Sequence, residues 1–583
     1  MRFDPDATVN PGRFLSALVI EELRRHGLGL VVMCPGARNQ PLLGALAARQ
    51  DIDRVIAVDE RAAGHLALGW LRGRAAAGLP PALAAVVTTS GSAPLLLAPA
   101  LAEAQAAALP LVLLSADRPA ELHGVGANQA LDQRTPLRPL VAAQVHLDCF
   151  AGGMAPRNLL GAVAEAATVA LGAPAAPVQL NLAFREPLAP DPAPLPDDWT
   201  AAVADWAAVP SPHADAAPST RWPDAQAVAR LRDELQAARR PVIWVAGLEH
   251  AADRQAALAL TASAGAPWIA DAGSGLRLAP EHPHRLVHAS RLRDHLASAD
   301  LVLQLGRRPV SLPLGKTLSS APRWVVDDHP ERQDPWRQGG ARLHVGPAAL
   351  LAALGDDPLA TRPEPVWLAE LLAADRAWQS RLAERIDGGD ELSEAWLARE
   401  LGRRLDHDTG LLLGNSLAVR HLDTLAGCGA AGPMTMTSRG TSGIEGLIAQ
   451  AAGAARGLRR RTVALLGDLT VLHDLGSLAL AARTDAPLLV VAVQNAGGAI
   501  FRQLPGGRHD ALLDPWLLAD QATPLADVAA ALGLAATRAT GRDAVLAAVD
   551  AFLADPRPSL LEVVVPPDGH VRLLDRLAEG GAP

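Results

Sequence analysis

The chain contains no tyrosine, and Lys316 is the only lysine among its 583 residues. A mechanism built on a catalytic tyrosine is therefore excluded, and one built on a lysine Schiff base is nearly so. Cysteine is also scarce: Cys34, Cys149 and Cys428 are odd in number and far apart. They suit neither a disulfide framework nor a zinc signature, as expected of a reducing compartment. No apolar run is long enough to span a membrane, because the most apolar region, 95–114, is broken by Pro99, Glu103, Gln105 and Pro110. The amino terminus, Met1-Arg2-Phe3-Asp4-Pro5-Asp6, lacks the apolar core of a signal peptide. Net charge is -9 with no basic run, which argues against a nucleic-acid partner. These absences leave a soluble, cytoplasmic protein with no membrane span.

What is present is apolar and regularly punctuated. Hydrophobic residues make up 49% of the chain, enough for several cores, and the length suggests about three domains. Short apolar runs alternate with helix-length segments in three blocks. The first has strand candidates at 30–34, 55–58, 83–88, 111–115 and 178–182. The second has them at 242–246, 268–271, 301–305 and 324–327, and the third at 411–413, 435–437, 463–466, 488–493 and 560–564. Such alternation predicts an α/β protein with doubly wound parallel sheets. The domains are read as 1–186, 224–355 and 392–583, joined by a Pro/Ala/Asp-rich linker at 187–223 and by a linker with a charged helical segment at 356–391.

The most informative pair of residues lies in the third block. Thr462-Val463-Ala464-Leu465-Leu466 stops at Gly467-Asp468, and the next apolar run stops at Gln494-Asn495. Both runs read as buried parallel strands, with a helical stretch carrying Leu472, Leu475, Leu478, Leu480 and Ala481 between them. Asp468 and Asn495 would then lie past the carboxyl ends of two parallel strands, where open α/β sheets bind ligands. A carboxylate and an amide oxygen there suit a hard divalent cation. Equally, Asp and Asn are common turn residues at strand ends.

Two further segments stand out in the first block. Asp59-Glu60-Arg61 follows a strand, and the pair reads either as functional carboxylates or as a helix cap with an acidic first turn. Thr89-Ser90-Gly91-Ser92-Ala93 is a small-residue turn that could offer backbone N–H groups to an anion, or be only a turn.

Taken together, these pieces resemble the thiamine-diphosphate enzymes, and closely one family among them, the 2-succinyl-5-enolpyruvyl-6-hydroxy-3-cyclohexene-1-carboxylate (SEPHCHC) synthases (MenD) of menaquinone biosynthesis. The resemblance runs through Cys34-Pro35-Gly36-Ala37-Arg38, Asp59-Glu60-Arg61 with His65 to Gly69, Ser115-Ala116-Asp117-Arg118-Pro119 and Gly126-Ala127-Asn128-Gln129-Ala130. It continues through Val326-Asp327-Asp328, Gly414-Asn415-Ser416-Leu417 with Arg420, Ser438-Arg439-Gly440-Thr441-Ser442-Gly443-Ile444, Gly467-Asp468-Leu469, and Asn495 to Phe501.

The resemblance implies an aminopyrimidine-binding first domain, a central domain and a third domain that binds diphosphate and magnesium (or manganese). Asp468, Asn495 and the Gly497 carbonyl become the expected metal ligands. Glu60 becomes the glutamate that hydrogen-bonds the aminopyrimidine. Ser90, Gly91, Ser416, Ile444, Gly467, Leu469, Ile500 and Phe501 join the expected cofactor contacts, with Ile444 as the apolar residue beneath a bent cofactor. The implied reaction joins 2-oxoglutarate to isochorismate with loss of CO2, through a thiamine-diphosphate-bound succinyl-semialdehyde carbanion. Both substrates carry two carboxylates, which guanidinium groups bind in a bidentate fork. Arg38, Arg118, Arg420 and Arg439 match the substrate positions, with Asn128, Gln129, Asn415 and Ser416 as polar partners. In this family the glutamate and the diphosphate-binding block come from different chains, which implies a homodimer or a dimer of dimers. Another thiamine-diphosphate enzyme, acetolactate-synthase-like or a 2-oxo acid decarboxylase, is the alternative; the arginine-rich set and Ser438-Arg439-Gly440 oppose it.

This chain departs from the family pattern at two places. Ala37 stands where relatives usually carry serine. Leu312 stands where many carry a substrate-facing lysine, leaving Lys316 or Arg307 as candidates to compensate.

Overall fold

In the computed structural model, the described residues are 9–47, 49–215, 221–337, 340–429, 432–484, 486–503 and 514–579, so the amino-terminal hexapeptide read above lies outside them. Three six-stranded sheets follow one another along the chain, and every strand pairing within them is parallel. The expected α/β architecture is thus present three times.

The first sheet contains β1 (Leu28–Met33), β2 (Asp53–Ile56), β3 (Leu83–Thr88), β4 (Leu111–Asp117), β5 (Ala143–Asp148) and β6 (Val178–Ala183), in the order β2-β1-β3-β4-β6-β5. The second contains β7 (Pro241–Val245), β8 (Trp268–Ala270), β9 (Arg285–Leu286), β10 (Leu301–Leu305), β11 (Arg323–Val326) and β12 (Gly340–Leu343), in the order β12-β11-β10-β7-β8-β9. The third contains β13 (Gly410–Leu413), β14 (Met434–Thr437), β15 (Thr462–Gly467), β16 (Leu488–Gln494), β17 (Ala535–Ala539) and β18 (Ser559–Val564), in the order β14-β13-β15-β16-β18-β17. Central strands such as β3, β4, β6 and β16 are buried at every position; β3 and β16 read as apolar runs up to their last residue, whereas β6 interrupts its run with the buried, hydrogen-bonded Gln179 and Asn181.

Strand order places the candidate site. In the third sheet the chain moves one way from β13 to β14 and the other way from β15 to β16. The switch point therefore lies between β13 and β15, where a crevice opens beyond the strand ends. Asn415 and Ser416 follow β13, and Asp468 follows β15. The pairing of Gly467 with Val493 sets β15 and β16 level, so Asp468 and Asn495 emerge at one end of the sheet. In the first sheet the switch lies between β1 and β3, and the segments leaving those strands carry Arg38 and Ser90-Gly91. In the second it lies between β7 and β10, but backbone hydrogen bonds close it: Gly247 N–H donates to the Arg307 carbonyl at 2.8 Å, and Arg307 N–H donates back at 3.1 Å.

Four strands have no counterpart among the expected ones: β5, β9, β12 and β17. All four are sheet edges. An edge strand buries less of its surface, and the exposed pattern of β17 shows no continuous apolar run. The helical stretch expected after β15 is two short helices, Asp468–His473 and Gly476–Arg483, parted at Asp474-Leu475.

The chain gathers into two compact units. One comprises Met1–Arg74, Leu79–Thr220 and Ala452–Gly457 and holds the first sheet. The other comprises Ala75–Gly78, Arg221–Ala451 and Leu458–Pro583 and holds the second and third.

Candidate active site

In the second unit, a cavity of about 330 Å³ is lined by Asn415, Ser416, Arg420, Arg439, Ile444, Gly467, Asp468, Leu469, Asn495, Gly497, Ile500 and Phe501 among others. Every third-block residue read as a site residue from the sequence is therefore in one place.

Its floor is built by backbone N–H groups that converge on Asp468. Oδ1 accepts from Leu469 N at 2.7 Å, while Oδ2 accepts from Gly497 N at 2.8 Å and Asn495 N at 3.2 Å. Burial nevertheless dominates and pushes the Asp468 carboxyl up to about 6, those N–H groups pulling it down and the Glu394 carboxylate adding to the rise. The Asn495 amide donates from Nδ2 to Glu394 Oε1 at 2.7 Å. Asn495 Oδ1 is buried and has no hydrogen-bond partner among the described residues. A buried acceptor left unmade costs about 1–3 kcal/mol, so this oxygen calls for a cation or a donor. The Gly497 carbonyl accepts from Ala499 N at 2.9 Å and keeps a second lone pair. A carboxylate, an amide oxygen and a backbone carbonyl form an all-oxygen set of the kind a hard divalent ion takes. The Gly497 turn admits only glycine: φ is +118°, and a Cβ would lie 2.2 Å from the Leu518 carbonyl oxygen.

The cavity also carries cations. Arg420 and Arg439 both line the cavity. Burial lowers the pKa of Arg420, and the neighbouring Arg439 lowers it further. Two guanidiniums that repel each other in one cavity favour an anionic ligand between them. Arg420 Nη1 donates to the Ser416 carbonyl at 2.7 Å, and Arg439 Nη1 donates to Asn415 Oδ1 at 3.2 Å. The Asn415 amide nitrogen is spent on the Ser438 carbonyl at 2.9 Å and the Gly443 carbonyl at 2.6 Å. Asn415 thus ties segment 438–443 to the end of β13 and contacts Arg439, while it also lines the cavity. Ser416 sits at φ +69°, an uncommon conformation for a residue with a side chain, at the start of helix Leu417–Leu425. The first N–H groups of that helix suit a phosphate or carboxylate.

In the first unit, Ser90, Gly91, Arg118 and Gln129 are brought together. Arg118 Nη1 donates to Ser90 Oγ, and Gln129 Nε2 donates to the Ser90 carbonyl at 2.9 Å. The Gly91 N–H is taken by Gln133 Oε1 at 3.0 Å, so the turn does not present it to an anion. Arg38 donates to the Phe184 carbonyl at 3.0 Å and pairs with Glu186 at 3.2 Å. Burial lowers the pKa of Arg118, and Arg38 lowers it further, so these two cations also share a neighbourhood. Asn128 is exposed on the same segment as Gln129.

Glu60 is the first residue of helix Glu60–Ala76, and Asp59 does the capping by accepting from Arg61 N at 2.9 Å. This is the arrangement of a helix cap followed by an acidic first turn. Half-buried Glu60 has its pKa raised, by burial first and by Asp59 second.

Three residues that sequence reasoning missed support these groups. Glu394 and His421 line the cavity, and Gln133 holds the Gly91 turn. Ser393-Glu394 carries only the signal of a helix start, and a lone histidine or glutamine carries none. Of the two candidates to replace the family lysine, Arg307 is tied to Asp327 at 3.3 Å and Asp328 at 3.2 Å. Lys316 is exposed one turn along the helix that begins at Leu312.

Comparison with known proteins agrees with this geometry. Three family models match in order: the thiamine pyrophosphate enzyme N-terminal TPP-binding domain over residues 14–135, the middle domain over 197–413 and the C-terminal TPP-binding domain over 426–563. The chain is 34% identical to the SEPHCHC synthase of Rubrobacter xylanophilus, covering 99% of this chain and all of the relative. The synthase of the same name from Shewanella amazonensis is 34% identical, covering 97% of this chain and 96% of the relative. That of Aeromonas salmonicida is 33% identical, covering 94% and 95%.

Proposed function

This chain belongs to the SEPHCHC synthase family of thiamine-diphosphate enzymes, and from that premise we propose how its own residues divide the work. The reaction joins 2-oxoglutarate to isochorismate with loss of CO2, a step of menaquinone biosynthesis. The names of the relatives do not favour the acetolactate-synthase-like alternative. Thiamine diphosphate, when bound, supplies the carbanion chemistry.

Asp468, Asn495 and the Gly497 carbonyl would hold magnesium, or manganese, beside the diphosphate. Gly467 and Leu469 flank that site, and Ser416 with the helix it opens receives phosphate oxygens. Ile444 would pack against the cofactor, and Ile500 and Phe501 give the cavity apolar lining that would keep water away. Glu60 would hydrogen-bond the aminopyrimidine and could exchange a proton through its carboxyl oxygen, a task its raised pKa suits. Arg420 and Arg439 clamp substrate carboxylates, with Asn415 aiming Arg439. Arg38, Arg118, Asn128 and Gln129 complete the substrate contacts, with Ser90 and Gly91 shaping their base. Residues 1–186 form the aminopyrimidine domain, 224–355 the central domain and 392–583 the diphosphate domain, with linkers at 187–223 and 356–391.

The working unit is a homodimer, alone or paired again into a tetramer, in which Glu60 of one subunit serves the diphosphate block of the other. Ile56 is 62% exposed and Val58 is 81% exposed, both just before Glu60, and such apolar residues suit cover by a second copy. Among the described residues no helix is long and apolar enough to cross a membrane. We place the enzyme in the cytoplasm.

The observation that carries this assignment is the buried, unpartnered Asn495 oxygen beside Asp468, in a cavity that also holds Arg420 and Arg439. Its test is a metal titration with thiamine diphosphate present. Asp468→Ala is expected to abolish saturable Mg2+ dependence of turnover, and unchanged dependence would refute the assignment.

A further inference from the structure

A side-chain amide presents an oxygen on one side and a nitrogen on the other, and only the oxygen can bind a cation. Asn495 therefore needs something that fixes which end faces the cavity. Its Nδ2 lies 2.7 Å from Glu394 Oε1. Turning the amide over would set its oxygen against a carboxylate oxygen at that distance, which repulsion forbids. With the donor end claimed, Oδ1 is left buried and without a hydrogen-bond partner among the described residues.

Glu394 is itself held. It is the first residue of helix Glu394–Arg404, whose cap Ser393 accepts from Trp396 N at 3.2 Å. Its second oxygen, Oε2, lies 3.3 Å from His421 Nδ1, and His421 Nε2 lies 2.5 Å from His570 Nδ1. Two imidazole nitrogens this close share one proton, so one ring donates and the other accepts. A chain of polar contacts thus runs from His570 through His421 and Glu394 to Asn495.

We propose that Glu394 is a positioning residue of the metal centre: it holds the Asn495 amide with its oxygen turned to the cation. This rests on reading Asp468, Asn495 and Gly497 as the metal ligands. Glu394 does not act as a ligand, because Oε1 is spent on Asn495 and Oε2 faces His421. Nor is bulk negative charge its contribution, since an amide oxygen at the same place would orient Asn495 as well.

The test is Mn2+ binding followed by electron paramagnetic resonance, in the presence of thiamine diphosphate, on wild type and variants whose fold is checked by circular dichroism. Wild type should bind Mn2+ saturably. Glu394→Ala should weaken binding about 10–100-fold, the usual effect of losing a partner of a metal ligand. Glu394→Gln, which keeps an acceptor oxygen, should weaken it by no more than about fivefold, the difference between a charged and a neutral acceptor. Asn495→Asp adds ligand charge but sets a carboxylate against Glu394, so it should bind Mn2+ more weakly than wild type. Adding Glu394→Gln to that variant should restore binding.

Wild-type affinity in Glu394→Ala would overturn the positioning role, as would an equal loss in Glu394→Gln, or tighter binding in Asn495→Asp alone. Failure of the wild type to bind Mn2+ would instead bring down the reading of the metal site and this inference with it. The Asn495→Asp pair keeps the inference falsifiable if Glu394→Ala does not fold.

Discussion

A carboxyl group in the first turn of a helix ordinarily stays ionised, because the helix dipole favours negative charge there. Glu60 occupies such a position, yet burial and the adjacent Asp59 raise its pKa. Since the folded value lies above the unfolded one, the group favours folding most below its ordinary pKa of 4.5 and loses that contribution as pH rises through the raised value. At neutral pH the wild type therefore carries the cost of a half-buried charge that Glu60→Gln lacks. The variant should melt no lower than wild type at pH 7.5, with the difference shrinking toward pH 4.5, while its kcat falls about 10²–10⁴-fold, the range for a lost acid–base group. Scanning calorimetry and steady-state kinetics on one preparation check both parts. At Arg420, the guanidinium shares the cavity with Arg439, and charge-assisted hydrogen bonds to a carboxylate are worth about 1.5–3 kcal/mol. Arg420→Ala should raise the KM of a dicarboxylate substrate about 10–100-fold, with a smaller effect on kcat. Unchanged KM and kcat would remove it from the substrate site.

At the scale of elements, the candidate site is made by segments that leave neighbouring parallel strands at one end of the sheet, and its most constrained part is the Gly497 turn after β16. Gly497→Ala would force a Cβ into the Leu518 carbonyl at a φ that side chains rarely adopt. It should cost about 1–3 kcal/mol of stability and abolish tight Mn2+ binding, both measurable on the purified variant. Elements also differ in how far they can be read from sequence. Buried central strands announce themselves because both faces are apolar, whereas β5, β12 and β17, at sheet edges, carry polar or exposed positions that dilute the pattern, and β9 has only two residues. The site divides similarly. Gly467-Asp468 and Gln494-Asn495 were legible because they punctuate long apolar strands. Glu394 and Gln133 were not, because each acts through another residue at a distance in the chain that no local pattern encodes. The turn at Ser90-Gly91 left two readings open in the sequence, and at the Gly91 N–H it is Gln133, from 42 residues further along, that takes the bond.

At the scale of the whole molecule, three sheets of one parallel architecture have different fates. The first and third have candidate site residues leaving the strands at their switch points, Arg38 with Ser90-Gly91 and Asn415-Ser416 with Asp468, while the second has its switch point bridged by Gly247 and Arg307. If each site takes Glu60 from one subunit and the metal ligands from the other, Glu60→Gln and Asp468→Ala will complement each other. Mixed dimers carry one site with both lesions and one with neither. Co-expression should then recover up to about a quarter of wild-type activity from two inactive parents. No recovery, despite mixed dimers shown by tandem affinity tags, would place Glu60 and Asp468 in the same chain's site.

Whether Glu60 and the Asp468–Asn495–Gly497 cavity together carry out the synthase reaction is decided by following loss of isochorismate absorbance and release of CO2 from 2-oxoglutarate, with thiamine diphosphate and Mg2+ present. Wild type is expected to consume both substrates stoichiometrically, Glu60→Gln to lose most of its activity, and Asp468→Ala to show no turnover. A folded, cofactor-loaded wild type that consumes no isochorismate, or a Glu60→Gln variant with full activity, would contradict their joint role.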